Sequence, residues 1–119
     1  MAIHYNLTLL YDKFDINSAE IQLEIINFIK EVPMQFKEIE TLIVAKNKTD
    51  LFEKASELTQ ILTNFGVIHA HETGDLLIAW SHKKAKKKEA MALYNILLEH
   101  YKLARKEIKK DYKPIIEKI

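Results

Sequence analysis

Residues 67–81 read VIHAHETGDLLIAWS. The polar tetrapeptide ETGD, Glu72–Asp75, separates VIHAH from the apolar run LLIAWS, Leu76–Ser81. Two short runs joined by a glycine-containing turn predict a β-hairpin. With the turn on ETGD, His71 stands opposite Leu76, His69 opposite Ile78 and Val67 opposite Trp80. Directly opposed residues share a face, so the two histidines and the tryptophan project to one side. Ile68, Ala70, Leu77 and Ala79 take the other side, a small apolar set suited to lie under helices.

Upstream segments extend this into a sheet. In IHYNLTLLY, Ile3, Tyr5, Leu7, Leu9 and Tyr11 fall on one side and His4, Asn6 and Thr8 on the other, the pattern of a half-buried strand. The link YDKFDINS ends in capping residues Asn17 and Ser18, and Ile21, Ile25, Phe28, Ile29 and Val32 follow helical spacing up to Pro33. IETLIVA, Ile39–Ala45, reads as an interior strand buried on both faces. A second helix begins near Thr49–Asp50, buries Leu51, Ala55, Leu58, Leu62 and Phe65, and stops at Gly66. A long third helix runs to about Tyr112, before Pro114, with Ala90, Leu93, Leu97, Tyr101, Ala104 and Ile108 along one face. The order is β-α-β-α-β-β-α. The expectation is one α+β domain over residues 1–119: a four-stranded mixed sheet with two helices on one face (residues 2–82) and a basic C-terminal helix (residues 83–113).

That order resembles the C-terminal domain of bacterial translation initiation factor three and the chromatin protein Alba over residues 2–82. The resemblance is one of topology, and it implies nucleic-acid binding. The chain departs from the basic contact surfaces of those families at Asp12, Asp15, Glu72 and Asp75, so any such contact would use other residues.

Composition narrows the function. There is no cysteine, hence no disulfide and no thiolate metal site. Two glycines leave no Gly-rich phosphate loop. No apolar run reaches the length of a membrane span, and the N-terminus lacks the pattern of a secretory signal, so a cytoplasmic protein is expected. The formal charge of +1 hides an asymmetry: residues 1–82 carry six Lys against twelve Asp and Glu, and residues 83–119 carry twelve Lys and Arg against five. Lys83, Lys84, Lys86, Lys87 and Lys88 crowd the start of the third helix, and Lys102, Lys106, Lys109 and Lys113 recur along it. Such a run is either a solubilising surface or a phosphate-binding patch.

The histidine face has three readings. In the first, the third helix covers it and the histidines are satisfied by hydrogen bonds. In the second, it binds a nucleic acid or a second subunit, with Trp80 stacking on a base. In the third it is catalytic. His69-Ala70-His71 resembles the His-hydrophobic-His motif of HUH nucleases. That resemblance implies a divalent metal such as Mn or Mg on His69 and His71, with His4 or Glu72 as third ligand, and a tyrosine nucleophile, Tyr94 or Tyr101. The chain lacks the companion Tyr-x-x-Lys pattern, since Leu97 and Ala104 follow those tyrosines. The leading expectation is a cofactor-free nucleic-acid-binding protein that uses Lys83, Lys84, Lys86, Lys87, Lys88, Lys102, Lys106, Lys109 and Trp80. Leu98 and Leu103 lie off the apolar stripe of the third helix and favour a homodimer. The alternatives are the nuclease and a non-enzymatic protein-interaction module.

Overall fold

The computed structural model describes residues 4–14, 19–83 and 86–113. They form six helices: α1 Thr8–Lys13, α2 Ala19–Lys30, α3 Val32–Ala45, α4 Lys48–Asn64, α5 Ala70–Trp80 and α6 Lys87–Asp111. No strand occurs among the described residues, so the fold is all-α and the four-stranded sheet is overturned. The topological resemblance to Alba and the initiation-factor domain rested on those strands and falls with them.

The hairpin is the decisive correction. Residues 70–80 form one continuous helix, and its buried positions are Ala70, Thr73, Gly74, Leu77 and Trp80. Their spacing of three and four is helical. Three of the five are small or weakly polar, so the buried stripe carries little hydrophobic signal. They are small because α4 lies very close. A Cβ placed on Gly74 would stand 2.2 Å from Thr59 Oγ1 and 2.9 Å from Thr59 Cβ.

IETLIVA is also helical. It forms the second half of α3, which buries Val32, Phe36, Ile39 and Ile43. Pro33 does not end a helix here; it sits in the first turn of α3, where a missing N–H leaves no bond unmade. The Glu31 N–H still donates to Asn27 O (2.8 Å), so α2 and α3 meet in a tight elbow. The first expected strand is a short non-helical segment followed by α1, and Ile3 with residues 15–18 lies outside the described residues.

The two remaining helices match expectation. In α4, Leu51, Ala55, Leu58 and Leu62 are buried, with Phe65 just beyond. Gly66 follows at φ +60°, where a Cβ would also meet Asn6 O at 2.5 Å. The α4 cap is Asn47, whose Oδ1 accepts from the Asp50 N–H. Asn47→Ala is expected to lower stability by about 1 kcal/mol, read from a urea melt. In α6 the buried face is Ala90, Tyr94, Leu97, Tyr101, Ala104 and Ile108; Leu93 is half-buried and Tyr94 takes the inner place.

Helices α3, α4, α5 and α6 pack in a ring, each touching the next, and α2 lies on α3 and α6. An aromatic cluster joins them. Phe28 stacks on Phe65 (4.2 Å between centroids), and Tyr101 lies 5.0 Å from Phe28 and 5.2 Å from Phe36. The Tyr101 hydroxyl donates to Phe28 O (2.6 Å), which gives the buried phenol a partner. The N-terminal segment clasps the far end: His4 N–H donates to Glu107 Oε1 (2.7 Å), the His4 ring lies 3.0 Å from the other carboxylate oxygen, and Asn6 N–H donates to Phe65 O (2.9 Å). Among the described residues no helix is long and apolar enough to cross a membrane.

Candidate nucleic-acid interface

Where α5 gives way to α6, the chain turns over Trp80. The ring is buried at 3% exposure, and its Nε1–H donates to Lys86 O (3.1 Å). Ser81, His82 and Lys83 continue in tight turns, their N–H groups donating to Ile78, Ala79 and Trp80 carbonyls. Trp80 therefore pins the lysine-bearing turn from beneath. It has no open face for a base to stack on, which corrects the sequence expectation for this residue.

A second loop reaches this turn. Lys46 and Asn47 link α3 to α4, and Lys48 opens α4. The Lys48 ammonium donates to the Lys83 carbonyl oxygen and sits 4.8 Å from the centre of the Trp80 ring. Phe52 of α4 packs on His82 at 4.8 Å between ring centroids. Contacts across 35 residues thus place Lys48, with Lys46 two residues before it, beside Lys83 and the start of α6. Spacing along the chain shows only the 83–88 run; the addition of the α3–α4 loop depends on helix packing, and no sequence signal announced it. Lys84 lies outside the described residues.

The electrostatics of this end are unbalanced. Lys86 is the N-cap of α6 and makes no side-chain cap bond, and Lys87 and Lys88 occupy the first turn with Glu89 as the one acidic residue there. A helix N-terminus carries positive partial charge and ordinarily attracts acidic side chains. Lysines here raise a positive potential that an anion relieves. Lys102, Lys106 and Lys109 are exposed on α6, together with Lys110, but begin about 22 Å beyond Lys87 at 1.5 Å per residue. Glu99 and the exposed Ile96 lie between the two groups.

The residues of the nuclease reading do not assemble. His69 is the N-cap of α5, at φ +60°, and His71 lies inside the helix; the paired strand positions of the HUH motif are absent. His69 lies against His100 (5.5 Å between rings) and 3.6 Å from Glu72, His71 lies 3.2 Å from Asp75, and His4 is held by Glu107. Among the described residues no three His, Asp or Glu side chains are placed to hold a metal ion. Tyr94 and Tyr101 are buried. Burial, with the Glu40 charge adding, raises the Tyr94 pKa, and burial raises that of Tyr101 against the opposing Arg105 charge. A phenolate nucleophile needs the opposite shift and an open path to phosphate.

Comparison of the chain with known protein families, with curated proteins and with solved structures finds no match.

Proposed function

We propose that this protein binds the phosphate backbone of a nucleic acid through the lysine-rich end of the bundle. The observation that supports this is the contact of Lys48 with the Lys83 carbonyl, which adds the α3–α4 loop to the run at 83–88. Two loops and an uncapped helix start then present one cationic surface of Lys46, Lys48, Lys83, Lys86, Lys87 and Lys88. Lysine ammonium groups contact phosphate as point charges, so recognition is of the backbone and not of base edges.

The test is fluorescence anisotropy with labelled single- and double-stranded oligonucleotides across a salt series. Four to five phosphate contacts give a log–log salt slope near −4, a loss of roughly 200-fold in affinity between 50 and 200 mM salt. Changing Lys48, Lys83, Lys86, Lys87 and Lys88 to Ser is expected to flatten the slope by about 0.9 for each contact removed. Trp80 emission is expected to stay unquenched, because the ring is buried. Absence of binding at low salt, or an unchanged slope in the variant, would sink the reading.

A second reading is pairing with another copy of the chain. Ile96 and Leu103 are exposed (46% and 41%) and stand seven residues apart on α6, whereas Leu98 packs against the core. Sedimentation of wild type beside Ile96→Lys/Leu103→Lys checks it; a concentration-independent monomer in both would end it.

A further inference from the structure

At the elbow between α2 and α3 a cavity of about 260 Å³ opens against the last turn of α4. Its apolar wall is Phe28 and Val32 on one side and Ile61 and Phe65 on the other. Its polar lining consists of Glu24, Asn27, Glu31 and Gln35. Among the described residues no lysine, arginine or histidine lines it. Neither the Glu24 nor the Glu31 carboxylate has an ion-pair partner among the described residues. The side-chain oxygen of Gln35 is shielded from solvent and accepts no hydrogen bond.

These features select a ligand. Anions are repelled by two carboxylates. The final turn of α4 adds the negative end of a helix dipole; the C-terminus of α2 and the N-terminus of α3 meet at the elbow and offset each other. The volume exceeds that of an apolar cavity of roughly 150 Å³ that takes a benzene ring, yet falls short of the usual drug-sized pocket. Glu24 and Glu31 are seven residues apart on one chain segment, about 10 Å along the helix axis. That is too far for one guanidinium to fork across both, and it suits a linear chain with a cation at each end. We propose that this cavity binds a linear aliphatic diamine. The methylene chain lies along Phe28 and Val32, and one ammonium meets each carboxylate.

Isothermal titration at 150 mM salt would compare 1,5-diaminopentane, pentylamine and 1,5-pentanediol. The diamine is expected to bind saturably, at least tenfold more tightly than the monoamine, with no measurable binding of the diol. Glu24→Gln/Glu31→Gln is isosteric at a half-buried and an exposed position, so it keeps the helices, and it is expected to weaken the diamine at least tenfold. In ¹⁵N spectra the Asn27 and Gln35 side-chain amides are expected to shift with diamine and stay put with diol. A diol that binds as well as the diamine, a monoamine of equal affinity, indifference to the carboxylate substitutions in a folded variant, or no binding at millimolar ligand would each overturn the proposal.

Discussion

Gly74→Val is expected to lower stability by about 3 kcal/mol or more, the upper range for overpacking a close helix contact. The reason is distance. A Cβ at position 74 meets Thr59 Oγ1, Cγ2 and Cβ at 2.2, 2.5 and 2.9 Å. Rotation of the threonine moves the first two atoms but not the third, so α4 and α5 must separate. Gly74→Ala is gentler, because alanine regains about 1 kcal/mol of helix propensity while the clash costs somewhat more. Thr59→Ala deletes two of the three clashing atoms and a buried hydroxyl that has no hydrogen-bond partner. The pair Thr59→Ala/Gly74→Ala is therefore expected to be more stable than Gly74→Ala alone, a coupling that urea melts of the double-mutant cycle measure. A hairpin turn at ETGD would place Gly74 away from Thr59 and give no coupling.

Alkaline unfolding is the second large effect. Tyr5, Tyr94, Tyr101 and Tyr112 all have pKa values raised by burial first. A hydrogen bond to the Asp111 carboxylate adds to the rise at Tyr5, and one with Tyr11 helps push Tyr112 up to about 12. In the unfolded chain these phenols ionise near pH 10. Above that pH the unfolded state binds fewer protons than the folded one, so stability falls as pH rises. The contribution is complete below pH 10 and is lost progressively toward the folded values. Buried Tyr101 alone contributes a slope of up to about 1.4 kcal/mol per pH unit. Tyr101→Phe removes the hydrogen bond to Phe28 O and is expected to cost about 1 kcal/mol at neutral pH. It is also expected to flatten the alkaline limb. Urea midpoints from pH 8 to 11.5 check both, and parallel curves for wild type and variant would contradict the assignment.

The legible elements were those whose buried stripes are large and apolar. Leu51, Leu58 and Leu62 in α4, and Leu97, Tyr101 and Ile108 in α6, announce helical periodicity on their own. In α5 the stripe is Ala70, Thr73 and Gly74 before Leu77 and Trp80, so the close approach to α4 that requires small residues also erases the pattern. In α3 the β-branched run hid a spacing already present in Val32, Phe36, Ile39 and Ile43. The lysine run at 83–88 was visible, but its setting was not. Trp80 reads as a free aromatic beside basic residues, and burial makes it the support of the turn instead. The His69–His71 pair drew its meaning from a strand, and on a helix those positions point to different sides.

The most direct test of the account is the ¹⁵N spectrum of the labelled protein titrated with a short oligonucleotide at low salt. The proposed phosphate contacts lie on two loops that meet only in this fold. Amide shifts are expected to appear together at Lys46–Asp50 and at Lys83–Lys88, and to reverse together as salt is raised. Shifts confined to Lys102–Lys110, or shifts at 83–88 with the α3–α4 loop unmoved, would contradict it.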